Sequence, residues 1–125
     1  MAWDPRYKSY LAGAAIGANR IVKFGSDDDH VVLGAAATDS LIGVSGNIAA
    51  GAAEERIDVV KEGIADVVAG GSITRGGLVT SDAAGAAVAA APSAGANNRI
   101  IGIAEASAAS GDIFPVMICP GSVQG

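Results

Sequence analysis

Aromatic residues are scarce: one Trp, two Tyr and two Phe in 125 residues. A core without large rings has little area to bury, because Ala offers few square ångströms and buried apolar surface is worth about 25 cal/mol per Å². Positive charge is also scarce. Eight Lys and Arg stand against thirteen Asp and Glu, for a net charge of −5 and a pI near 4.5. The basic residues are scattered singly, so no stripe exists to follow nucleic acid phosphates. Cys119 is the only cysteine, which excludes an internal disulfide and a multi-cysteine metal site. In the run Ile113–Cys119 it is expected to be a small buried hydrophobe. His30 is the only histidine, so a His-paired metal site is excluded. A Ser-His-Asp assembly would need His30 itself as base, and no G-x-S-x-G elbow surrounds any serine. Long apolar runs are missing too. The longest, Ala83–Ala91, stops at Pro92, far short of the roughly 20 residues of a membrane helix. The opening MAWDPRYKSYL carries charge and proline where a signal peptide carries an apolar run, so synthesis in a cytoplasm is expected.

What is present is an Ala- and Gly-rich chain of single-domain size, half apolar, with 18 Gly. Its own core is small, and association with neighbouring subunits is expected to add stability. The strongest local signals are short β-branched runs bounded by Gly, Asp, Asn and Ser. They predict strands over 20–24, 30–35, 41–45, 56–61, 64–69, 78–81, 86–90, 99–104 and 113–119. Short, even spacing of this kind belongs to an all-β small barrel or jelly-roll-like sandwich. Tight hairpins are predicted at Lys61-Glu62-Gly63 and at Asp82-Ala83-Ala84-Gly85, where glycine supplies the turn conformation. Ala83–Ala91 is ambiguous, since its alanines favour helix while Gly85 and the flanking turns favour strand. Pro115 predicts an edge or bulged position for the last strand.

The chain also resembles itself. Ala12-Gly13-Ala14-Ala15-Ile16 followed by Ile21-Val22 aligns at a constant offset with Ala69-Gly70-Gly71-Ser72-Ile73 followed by Leu78-Val79. Leu41-Ile42-Gly43-Val44 aligns with Ile100-Ile101-Gly102-Ile103 at an offset two residues longer. Two pseudo-repeats, about 12–60 and 69–118, are expected within one β domain spanning 12–125. Residues 1–11 hold three of the five aromatics and the breaker Asp4-Pro5. They predict an extended N-terminal arm outside the core, whose removal leaves a folded domain. Trp3, Arg6, Tyr7 and Tyr10 are its expected contacts to a partner surface.

Candidate chemistry is thin. Asp27-Asp28-Asp29-His30 offers oxygen and imidazole ligands, but adjacent carboxylates on an extended chain point to alternate sides and the calcium-loop spacing is missing. A solvated acidic loop is expected there. Cys119 in an apolar strand would have a raised pKa, the opposite of what a nucleophile needs. Gly70-Gly71 and Gly76-Gly77 lack phosphate-loop patterns and read as turns. Glu54-Glu55 has no aromatic sugar platform beside it. Lys61 beside its predicted hairpin has the position of a carrier-domain lysine, without the flanking residues of a biotinyl or lipoyl site. No catalytic, cofactor-binding or metal residue is expected, and no cofactor.

The phrasing "LIGVSGN", "VVAGGSITRGGLVTSDAAGAAV" and "RIIGIAEASAASGDIFPVMI" resembles the small capsid decoration, or cement, proteins of tailed bacteriophages, over nearly the whole chain. The first copy departs from the second at Gly17-Ala18-Asn19, where the second has Thr74-Arg75-Gly76. The resemblance implies a structural virion protein with no enzymatic activity. It would be made in the bacterial host cytoplasm and bound to the outer capsid surface, where it cements neighbouring subunits of the major capsid protein. Its implied partners are that protein and itself, as homotrimer or homodimer, with neither nucleic acid nor membrane. Several linked copies gain avidity of roughly 10²–10⁴ over a single site. Another phage structural module, of tail or baseplate, is the alternative, and a carrier domain modified at Lys61 is a third.

Overall fold

The computed structural model describes residues 6–46 and 49–125. Nine strands follow in chain order: β1 (Arg6–Ala12), β2 (Ile21–Phe24), β3 (His30–Leu33), β4 (Leu41–Ser45), β5 (Arg56–Val68), β6 (Leu78–Ser81), β7 (Ala87–Ala89), β8 (Asn97–Ala104) and β9 (Ile113–Gln124). The chain is all-β, as its short β-branched runs predict. The strands are neighbours in the order β1-β3-β2-β4-β5-β9-β8-β6-β7, and β1 also pairs with β5. That last pairing closes β1, β3, β2, β4 and β5 into a five-stranded barrel, the first barrel. Closure removes the free edges that an open sheet exposes.

The second half repeats the plan. β6 pairs with β7 and β8, β8 with β9, and β9 with the end of β5, all antiparallel. A parallel bridge from Ala69 to Ala87 closes this second barrel, reinforced by the Gly70 N–H to Ala87 carbonyl bond of 2.7 Å. It is the counterpart of the parallel β1–β3 pairing, in which Ala12 meets Val31. β5 is common to both barrels. Its residues Arg56–Glu62 pair with β1, and Gly63–Val68 pair with β9.

Matching details recur at matching places. Ile16 bridges Ala50 and Ile73 bridges Ala108. Ala12 N–H donates to Glu55 O and Ala69 N–H to Asp112 O, at 2.8 and 2.7 Å. The backbone turns left-handed at Asn19 and Glu54 in the first barrel and at Gly76 and Gly111 in the second. The inward side chains of the first barrel form one buried cluster, with Tyr10, Ile16, Val22, Val31, Ile57 and Val59. Those of the second, with Ile73, Val79, Ile101, Phe114 and Val116, form another. Ile21, Leu41, Val44 and Val60 from the outer wall of the first barrel join that second cluster, so the two barrels share buried surface.

Four expectations are corrected. The hairpin predicted at Lys61-Glu62-Gly63 does not turn, because β5 runs through it. Gly63 has φ +99, but its neighbours pair with different strands on either side, and the chain passes onward from one barrel to the next. The arm predicted over 1–11 is, from Arg6 onward, strand β1 of the first barrel. Its inward positions Tyr10 and Ala12 are buried, while Arg6, Tyr7, Lys8 and Ser9 face solvent. Removing 1–11 would therefore open that barrel. Cys119 is exposed, because Phe114, Val116 and Ile118 take the inward phase of β9. Pro115 does not mark an edge, since it lies opposite Asp66 of β5; the last strand is irregular instead, where its pairing with β8 shifts register between Ile100 and Gly102. The Pro115 carbonyl accepts from Glu105 N–H at 3.0 Å, just past the end of β8, where a missing N–H costs the ladder nothing. The hairpin at Asp82–Gly85 does form, between β6 and β7. Asp82 Oδ1 accepts from Ala84 N–H and Ala86 N–H at 2.8 and 2.9 Å, an Asx-type turn that ends the helix-or-strand ambiguity of Ala83–Ala91.

Candidate docking surface

The residues expected to make contacts are separated by the fold. Trp3 lies outside the described residues. Arg6 is exposed and approaches Glu62 at 3.7 Å, a surface pair of small energetic weight. Tyr7 is 59% exposed. Tyr10 is only 2% exposed. Its hydroxyl accepts from Lys61 Nζ at 2.9 Å and its ring meets Phe24 edge-on at 6.4 Å between centroids. Tyr10 is thus a core residue, corrected from its expected role as an arm contact. Lys61 is half-buried within β5, so it does not occupy the hairpin tip that a carrier lysine would need.

Beside Tyr7, an open groove of about 620 Å³ runs past Ser45, Arg56, Asp58, Ile64 and Asp66 where β5 leaves the first barrel. Asp58 accepts from Ser9 Oγ at 2.6 Å. Ser45 Oγ, fully buried, donates to Gly17 O at 2.8 Å and accepts from Arg20 N–H at 3.0 Å. These polar groups are occupied in holding the chain.

The acidic loop Asp27–Asp29 is exposed as expected, but His30 has a specific partner. Its Nε2 lies 2.9 Å and 3.0 Å from the two Glu54 carboxylate oxygens, and Nδ1 lies 3.6 Å from Asp27. The Glu54 hydrogen bond raises the His30 pKa. Desolvation opposes it, while the charges of Glu54, Asp27 and Asp29 add to it. Glu54 holds this contact from a left-handed backbone, φ +70. Among the described residues no cluster of three His, Cys, Asp or Glu side chains is arranged to hold a metal ion. At Asp39, burial pushes the carboxyl up. The Ala35 N–H and the Lys23 ammonium outweigh this and hold it below the ordinary value, with Lys23 Nζ at 3.1 Å.

What the surface does offer is apolar. Tyr7, Phe24, Ile113 and Met117 are large and exposed. Ile113 and Met117 alternate along β9 with the buried Phe114, Val116 and Ile118. Their sequence signal was available: Ile113-Phe114-Pro115-Val116-Met117-Ile118 is apolar at every position, so both faces of the strand must be covered or left bare. Scattered exposed hydrophobes are ordinary, whereas an aligned patch marks an interface.

No protein-family model and no curated protein sequence matches the chain. Among solved structures, the fold is similar to the head fiber gp8.5 N base in bacteriophage phi29. The TM-score is 0.68 at 17% identity, covering 94% of this chain and 95% of that one.

Proposed function

We propose that this chain is a structural virion protein of a phage head. It binds the outer surface of the capsid and cements neighbouring major capsid protein subunits, as a homotrimer or homodimer and without enzymatic activity. The observation that carries this is the fold likeness to a head fiber base along nearly the full length of both chains. The surface supports it: the exposed side chains of most weight are Tyr7, Phe24, Ile113 and Met117, which suit protein contact, and the net charge of −5 disfavours contact with packaged DNA. The fold neighbour belongs to a head, which favours head attachment over the tail or baseplate alternative. A β module with a small core gains by gripping several capsid subunits at once.

The experiment is cosedimentation of the purified protein with tail-less heads that lack it. Saturable binding is expected, at a fixed ratio to the major capsid protein. Binding to tails with none to heads would refute the head assignment.

A further inference from the structure

The two barrels carry the same row of wall residues, but only one row is covered. In the first barrel, Ile21 pairs with Val44, Val44 with Val60, and Val60 with Tyr7. Directly paired residues share one face of a sheet. Ile21 and Val44 are fully buried and Val60 is 3% exposed, in the same cluster as the second barrel's core; only Tyr7, at the row's outer end, is exposed. The second barrel has the counterpart row: Leu78 pairs with Ile103, Ile103 with Met117, and Met117 with Ile64. Here Leu78, Ile103 and Ile64 are only half-buried and Met117 is exposed.

The element beside the covered row is the β6–β7 hairpin of the second barrel. Ile21 N–H donates to Gly85 O at 2.8 Å, and Arg20 Nη1 reaches Ala84 O at 3.4 Å. Ser81, which is buried, lies against Gly34. Its counterpart in the first barrel is the β2–β3 hairpin, whose tip from Ser26 to Asp29 is exposed. Phe24 stands where the second barrel has Ser81, and it is exposed. Each half of the internal contact therefore has an uncovered duplicate at the other end of the molecule.

We infer that the outer wall of the second barrel, centred on Ile103 and Met117, docks the β2–β3 hairpin of a second copy of this chain, repeating between copies the contact made between barrels. Charge favours the same pairing. The hairpin carries Asp27, Asp28 and Asp29 at its tip, all exposed. Exposed Arg75, in the turn entering β6, makes no ion pair among the described residues. It stands near the place from which Arg20 reaches its hairpin in the first barrel. The contact is heterologous, head to tail, so copies add in one direction until a ring closes. It rests on the self-association in the function proposed above, yet it is read without capsids.

The test is the mass of the full chain in solution under reducing conditions, by sedimentation. The wild type is expected to be oligomeric. Met117→Glu and Phe24→Asp each keep one good face and spoil the other, so each alone is expected to be a folded monomer. Mixed in equal amounts, they are expected to form a 1:1 dimer and nothing larger. A monomeric wild type, oligomers surviving either substitution, or a mixture that stays monomeric would each overturn the inference. Circular dichroism checks folding. If Met117→Glu is unfolded, Arg75→Glu replaces it, and several-fold weaker association is then required. Failure here with saturable head binding intact would reject the interface and leave the capsid function standing.

Discussion

Replacing Gly102 with Ala should damage the second barrel far more than one methyl group suggests. Gly102 lies in β8 opposite Val79 on one side and Ile118 on the other. A Cβ there would overlap the Met117 carbonyl oxygen, and would stand 2.9 Å from the Met117 carbonyl carbon and 3.2 Å from Val116 Cγ1. The obstacle is backbone, which cannot swing aside as a side-chain tip would. Overpacking costs about 1–3 kcal/mol. Prising β8 from β9 weakens a further two or so ladder hydrogen bonds, at about 1 kcal/mol each. The sum is about 3–5 kcal/mol, in a domain whose whole stability is about 5–15 kcal/mol. For this chain length that lowers Tm by roughly 10–20 °C. Thermal and urea unfolding followed by circular dichroism reads it directly. Gly71→Ala is the control, since its Cβ would meet only Val88 Cγ1 at an ordinary 3.8 Å. The same clash recurs at the counterpart position Gly43, where a Cβ would lie 2.6 Å from Val59 Cγ1 and 3.2 Å from the Val60 carbonyl carbon. A Gly102→Ala protein that melts within about 3 °C of wild type would refute the close approach of β8 and β9 at this point.

Three further outcomes follow from the buried and charged groups. Ser45→Ala removes the acceptor for Arg20 N–H and the donor to Gly17 O, and should cost about 1–3 kcal/mol in urea unfolding, the penalty of stranded polar groups. The raised His30 pKa means that its contact with Glu54 stabilises fully below the unfolded value of about 6.5 and fades as pH rises through the folded value. Glu54→Gln should lower the His30 pKa in an NMR titration and flatten that part of the stability profile; an unchanged titration would refute the pairing. Asp39 has the opposite sign. Its lowered pKa gives stability that is present above about 3.9 and lost as pH falls through the folded value, so Asp39→Asn should remove that acid-side dependence.

Much of the fold was legible because β-branched runs and turn residues alternate evenly along the chain. What escaped was decided at a distance. β1 reads as an arm because Arg6, Tyr7, Lys8 and Ser9 are solvent-facing, and only Tyr10 and Ala12 record the barrel behind them. Gly63 reads as a hairpin because its left-handed backbone suits either a reversal or a continuing strand. The choice between them depends on β1 and β9, which are far away in sequence. Tyr10 carries the same ring whether it serves a partner or its own core. The docking wall was hidden for a similar reason. Val60 and Met117 are both apolar members of matching rows, and only packing between the barrels covers one and bares the other.

β5 is a single covalent thread woven into two closed hydrogen-bond circuits. Neither circuit can be cut out as an independent unit, because separation would bare Ile21, Leu41, Val44 and Val60, which the first packs into the core of the second. Melting is accordingly coupled, and strain applied at one end is carried along thirteen residues of strand to the other end. A duplicated module joined by a flexible tether could swivel. Joined through a common stave, it transmits load as one stiff body.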